Sequence, residues 1–304
     1  MARFLVAFFI LLSFPHAGRG DPPAHKSSAL PEVTIEAERA KLERRVNTFI
    51  SRITARVSDN SSLARWNIPI CPLVSGLPVD AGESVLQRLS EIAMAAGASL
   101  GSPRCRPNLY ILLTSEPTEL LKQWRKKDPY IFGVLDADDP RHAPPAMVAR
   151  FLRTDRPVRV WYNFNNPDAV LPNDRLVDLQ GGFEGAHAGC SGGNAQLVWY
   201  IIQNLSSVVV VVDSRRTRGI TVGQLSDYIA MVAFTQVDLD ADISNSPTVL
   251  RLFADSHAGN PTPDGLSAWD RGFLKGLYHT DQCARLQRFA ISRVVVQEIP
   301  QSGP

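Results

Sequence analysis

Val208 to Gln236 reads VVVVVDSRRTRGITVGQLSDYIAMVAFTQ. Five consecutive β-branched residues suit a buried strand better than a helix. Thr221 and Gln224 then stand at the T-x-x-Q spacing of a capping box, which satisfies two orphan N–H groups reciprocally, and they open a helix to about Gln236. Arg215, Arg216 and Arg218 lie in the strand-to-helix loop. A carboxylate or phosphate can dock there, beside the positive N-terminus of the Thr221 helix. A solvated loop is the plainer alternative.

The pattern extends outward from this unit. Val158 to Phe164 (VRVWYNF) alternates Arg159 against Val158 and Val160, a strand signal. Asn108 to Thr114 is a short apolar run bounded by Pro and Ser, a second strand. Leu197 to Ile202 is a third β-rich run, and Gln203 to Ser207 reads as the turn that follows it. Ile35, Leu42, Val46, Phe49, Ile50, Ile53 and Val57 keep to one helical face. A second helix is expected from Asp80 to Ala96, capped by Asp80 with Glu83 and stopped by Gly97. Further helices start at Ser115 and run over Met147 to Leu152. Downstream, Ser267 and Asp270 form S-x-x-D and open a helix through Leu277 and Tyr278. Ile291 to Ile299 reads as a closing strand. This order implies an α+β class: a mixed sheet with packed helices. One domain is expected over residues 34–300, with parts 34–205 and 206–300.

Arg3, the apolar run Phe4 to Phe14, and Ala17, Gly18 and Gly20 have the three-part layout of a secretory signal peptide. The run is about eleven residues long, short of the roughly 20 a membrane span needs. Residues 1–20 are therefore expected to be removed, with 21–33 as a polar, Pro-rich leader. The chain carries 32 Lys+Arg and 30 Asp+Glu; without Arg3 and Arg19 it holds 30 of each. A neutral chain offers no electrostatic reason to expect nucleic acid. No membrane span is expected after cleavage. The location is then periplasmic or secreted, where four cysteines read as two disulfides. Of three pairings, Cys71–Cys105 and Cys190–Cys283 are favoured, because Cys71 and Cys105 lie in Pro-containing segments flanking one helix-like stretch.

Candidate chemistry is sparse. His25, His142, His187, His257 and His279 never recur three or four residues apart, so no two imidazoles share a helical face toward one zinc ion. No metal site is expected. Gly189-Cys190-Ser191-Gly192-Gly193 matches G-x-S-x-G, yet the preceding residues are no strand and the following ones are β-like, the reverse of a nucleophile elbow. Ser191 is therefore a weak nucleophile candidate, with His187 and Asp178 or Glu184 as conceivable partners. Asp136, Asp138 and Asp139, and Asp238, Asp240 and Asp242, supply hard oxygens suited to Ca²⁺, but the second group lacks the Gly and Glu of a calcium loop. There is no phosphate loop and no dinucleotide fingerprint, so no organic cofactor is expected.

From Val208 to Tyr278, about seventy residues, the order of segments resembles the catalytic half of zincin-type metalloproteases, especially metzincins. It is also similar to uncharacterised exported bacterial proteins with such a half. Val208–Asp213 stands for the strand and Thr221–Gln236 for the helix that bears HExxH in that family. Ser246 to Phe253 falls where a Met-containing turn belongs. Leu266-Ser267-Ala268-Trp269-Asp270 through Leu277-Tyr278 resembles the final helix. The ligand-bearing motif is missing. Asp227, Tyr228 and Met231 occupy its place, and neither a phenol nor a thioether replaces the base or the imidazoles. The resemblance implies a zincin-like scaffold without zinc hydrolysis. An exported, non-catalytic binding or structural protein of the cell envelope is expected, with an envelope protein or peptide as partner. A periplasmic or secreted hydrolase using Ser191 or an acidic site is the alternative.

Overall fold

The structure is a computed structural model that describes residues 29–54, 61–133, 143–164, 202–282 and 286–300. Residues 29–39 belong to a first compact unit, Met1–Arg39, and form the leading turns of a helix; residues 40–304 form the second unit, which holds everything below.

The valine run is the centre of a five-stranded sheet. Strands are β1 (Arg65–Trp66), β2 (Pro72–Ser75), β3 (Leu109–Thr114), β4 (Val158–Phe164) and β5 (Asn204–Asp213). β3 pairs in parallel with β5 from Leu109 opposite Val208 to Thr114 opposite Asp213. β2 adds in parallel to β3, and β1 pairs in parallel with Asn204 and Leu205. β4 runs antiparallel along β5, from Val158 opposite Val212 to Phe164 opposite Leu205.

Helices cover both faces. They are α1 (Ala29–Ile53), α2 (Val79–Ala96), α3 (Pro117–Lys127), α4 (Pro145–Arg153), α5 (Val222–Ala233), α6 (Leu252–Ala258), α7 (Ala268–His279) and α8 (Gln287–Glu298). Side chains alternate across a strand, so Val208, Val210 and Val212 enter the larger core with α1, α2, α5, α7 and α8. Val209 and Val211 enter a smaller core with Leu121, Phe132, Phe151 and Trp161. All five valines are completely buried, which is why the run shows no polar alternation. The architecture is thus a mixed α/β sandwich of the α+β class. No helix among the described residues is long and apolar enough to cross a membrane.

Cys71 and Cys105 form a disulfide with Cα atoms 6.0 Å apart, across α2 and β3's approach. Closing its 34-residue separation contributes about 3–4 kcal/mol in the chain-entropy account. Cys190 and Cys283 lie outside the described residues, as do Leu197 to Ile201 of the expected β-rich run.

Several expected boundaries move. The expected strand Ile291 to Ile299 is instead helical: residues 291–298 belong to α8 and Ile299 is its C-cap. Its buried residues Ile291, Val295 and Val296 follow a helical stripe, and α7 presents Gly272 and Gly276 to it. A Cβ on Gly272 would stand 2.7 Å from the Val295 Cα, so only glycine lets the two backbones approach this closely. The expected turn at Gln203–Ser207 is largely the start of β5, held by β1. Asp80 caps nothing, because α2 starts at Val79 after Pro78. The Gly97 stop is present, with φ 86°. α3 starts at Pro117 rather than Ser115, and α1 at Ala29.

Candidate functional site

On α5, the helix that follows β5, Gln224 and Asp227 are committed to internal partners and Tyr228 and Met231 to the core. The Thr221–Gln224 capping box forms, and Gln224 Nε2 also donates to Thr262 Oγ1 at 3.1 Å and to the Pro263 carbonyl at 2.8 Å. This holds the 262–266 segment beside the first turn of α5. Asp227, only 3% exposed, accepts from Arg88 Nε at 2.6 Å, from Arg88 Nη2 at 3.1 Å and from the Leu266 N–H at 2.7 Å. The forked contact makes Asp227 the tie between α2, α5 and the entry to α7. The hydrogen bond to Asp227 raises the Arg88 guanidinium above its ordinary value. Gly265 lets the loop backbone reach the carboxylate, since a Cβ there would stand 2.4 Å from Asp227 Oδ2.

Tyr228 packs edge-on against Phe253, with ring centroids 4.9 Å apart. Burial pushes its phenol well above the usual range. Met231 is completely buried in the larger core. Asp227, Tyr228 and Met231 are thus packing and anchoring residues. Among the described residues no group of three or more His, Cys, Asp or Glu converges as a metal site would require.

The segments around α5 are held by polar contacts that the pattern of residues did not announce. Three successive carbonyls at the C-terminal end of the helix are each met by a side-chain donor: Val232 by Tyr162 Oη at 2.8 Å, Ala233 by Trp66 Nε1 at 2.8 Å and Phe234 by Tyr278 Oη at 2.7 Å. These are groups a helix leaves orphaned. Asp270 does more than cap α7. It accepts from Ser267, from Thr248 Oγ1 at 2.6 Å and from the Val249 N–H at 2.9 Å, and so fixes the 3₁₀ turn Val249–Arg251, within the segment where the resemblance implies a Met-containing turn.

Other sequence candidates are spread apart. Arg215 makes a forked pair with Asp213, at 3.0 Å to each oxygen, and Arg216 pairs with Asp155. Arg218 is exposed. Asp238 and Asp242 accept from the backbone N–H two residues on, Asp242 also lies 3.6 Å from Arg52, and Asp240 pairs with Arg156. His257 and His279 each use Nδ1 on a carbonyl one turn back in their own helices. Ser191, His25, His142, His187, Asp178, Glu184, Asp136, Asp138 and Asp139 lie outside the described residues.

The open feature is the outer edge of β4. A cleft of about 410 Å³ runs along it, between α4 (Met147, Arg150, Phe151) and the segment Gln236 to Asp240. Asp213 N–H donates to the Pro157 carbonyl, which sets the bonding parity: Arg159 and Trp161 bond inward to β5. Val160 and Tyr162 therefore direct N–H and C=O away from the sheet. Among the described residues no backbone group pairs with that outer side. Arg159 also lines this cleft although it is only 7% exposed. Its Nη1 reaches Thr118 Oγ1 at 2.9 Å and the Leu152 carbonyl at 3.2 Å, while its Nε has no acceptor among the described residues. Burial pulls the guanidinium below its ordinary value.

A second cavity of about 460 Å³ lies among Arg106, Asn108, Tyr110, Tyr130 and Asn163. Its amides are committed internally: Asn108 bridges Cys71 N–H and the Pro69 carbonyl, and Asn163 serves Trp161, Ile131 and Ser207. The β4 cleft is the better site for a ligand because, among the described residues, it offers unpaired backbone groups and a buried cation with one unsatisfied nitrogen. In the sequence Arg159 marks only the alternation of a strand, against Val158 and Val160; its burial beside the cleft depends on how α4 and β5 pack around it. No known protein family, no curated protein and no solved structure matches the chain.

Proposed function

We propose that this chain is an exported, non-catalytic binding protein built on a degenerate zincin-like scaffold, and that it receives an extended peptide along β4. The signal-peptide layout of residues 2–20 supports export to the periplasm or beyond. The succession β5, α5, the Val249–Arg251 turn and α7 supports the scaffold reading. The observation that carries the loss of catalysis is Asp227. The carboxylate at the first position of the vanished motif is buried and bound by Arg88 and Leu266, with all its strong donors internal.

The binding reading rests on the β4 edge. An unpaired strand edge inside a cleft accepts an added strand through main-chain hydrogen bonds, which give affinity with little demand on sequence. Hydrogen exchange tests it. The Val160 and Tyr162 amides are expected to exchange rapidly in the free protein and to slow when an extended peptide binds. Stoichiometric zinc in the purified protein, with peptide hydrolysis abolished by a chelator, overturns the non-catalytic reading.

A further inference from the structure

The β4 cleft selects for charge. We propose that its ligand is an acidic extended segment whose side-chain carboxylates meet Arg159 and Arg150, with apolar residues alternating between them. This rests on the strand-addition reading above and names the class of peptide.

The argument starts from an imbalance. Arg159 is a buried guanidinium with neutral acceptors only on Nη1 and none on Nε among the described residues. Charges buried in proteins are paired as a rule, because removing a cation from water is costly. The nearest acids are already taken: Asp213 by Arg215 and Arg216, and Asp155 by Arg216. Along the cleft three arginines, Arg150, Arg156 and Arg159, face one acid, Asp240, which pairs with Arg156. Among the described residues that leaves two guanidinium groups without an acidic partner for a ligand to meet. An arginine fork matches a carboxylate in shape as well as charge.

The pleat then fixes the pattern. Side chains on one face of adjacent strands meet each other. Arg159 and Trp161 share the face of the smaller core, while Val160 and Tyr162 share that of the larger. A strand added to the free edge places alternate residues beside Arg159 and Trp161, with α4 and its exposed Arg150 alongside. The residues between them lie beside Val160 and Tyr162. Acidic and apolar residues in alternation satisfy both faces.

The test uses four fluorescent octapeptides. Three alternate Val with Glu, Gln or Lys and have both ends blocked; the fourth is the Val–Gln peptide with a free C-terminal carboxylate. The Val–Glu peptide is expected to bind about tenfold tighter than blocked Val–Gln, the size of one good charge-assisted contact, and to protect the Val160 and Tyr162 amides. The Val–Lys peptide is expected not to bind. Arg159→Gln should erase the Glu-over-Gln preference. Arg150→Gln, at an exposed position on α4, should reduce it several-fold, and it decides the matter if the Arg159 variant does not fold. Equal binding of blocked Val–Glu and Val–Gln, with both protecting the amides, overturns the charge proposal and leaves strand addition standing. A preference for the free-acid Val–Gln peptide over Val–Glu assigns the arginines to a chain terminus and overturns it too. Failure of every peptide to protect those amides removes the strand-addition reading itself. Protection that grows with protein concentration alone assigns the edge to a second copy and likewise overturns the proposal.

Discussion

Asp227 and Arg159 are both charged and buried, and they sit at opposite extremes of satisfaction. Asp227 has a forked arginine and a backbone N–H on it. Arg159 has a hydroxyl and a carbonyl on one nitrogen and, among the described residues, no hydrogen-bonded acid, with Asp155 and Asp213 acting on it only from a distance. The first arrangement is what a finished structural tie looks like. The second is what a half-built ligand site looks like. The difference teaches that charge in the apolar interior does not mark function by itself; the state of its partners does.

The comparison can be broken at four places. Asp227→Ala should have the largest effect. It leaves the Leu266 N–H without an acceptor and Arg88 without its fork, at a cost of about 2–4 kcal/mol in urea unfolding, moderated because Arg88 is partly solvated. A loss below about 1 kcal/mol would show that the tie is not structural. Gly265→Ala comes next. Its new Cβ would meet Asp227 Oδ2 at 2.4 Å, and the forced shift should cost about 1–3 kcal/mol in the same measurement. Arg159→Met should then do little to stability, under about 1 kcal/mol by thermal unfolding, because a guanidinium without an acid is no tie. A loss as large as that of Asp227→Ala would make Arg159 a structural residue and erase the contrast.

The smallest effect concerns pH. The Arg215 guanidinium beside Asp213 holds its carboxyl below the usual carboxylate range. The folded value is thus lower than the unfolded one. The stabilisation is fully present above the unfolded value, about pH 4, and is lost as pH falls through the folded value. Asp213→Asn should flatten the acid limb of stability below about pH 4 and leave the neutral region's slope unchanged. An unaltered acid limb would remove this pair as a contributor.

Much of the frame was legible because its signals are local or strongly periodic. Val208 to Val212 announced a central strand through β-branching alone. The Thr221–Gln224 and Ser267–Asp270 boxes announced two helix starts, since a cap is decided within four residues. Cys71 and Cys105 were paired correctly from their flanking segments. The reading of Ile291–Ile299 failed because three valines in a row favour a strand locally, while the decisive partner was a glycine-bearing face of α7 nearly twenty residues upstream. Asp80 failed as a cap because Pro78 set the helix start one residue earlier.

The site divided along the same line. That Asp227, Tyr228 and Met231 do not form a zinc-binding motif follows from their identities, since no fold turns a phenol or a thioether into imidazole. That Asp227 serves as a tie required Arg88, 139 residues away, and Leu266. That Arg159 is buried beside an edge with no partner among the described residues required β4 to lie outermost against β5 and α4 to pack beside it. One-dimensional pattern determined which segments are strands and helices, because capping and side-chain periodicity act over a few residues. Only the tertiary structure decided which charges are spent and which remain, because the partners of a charge are brought to it by segments far away along the chain.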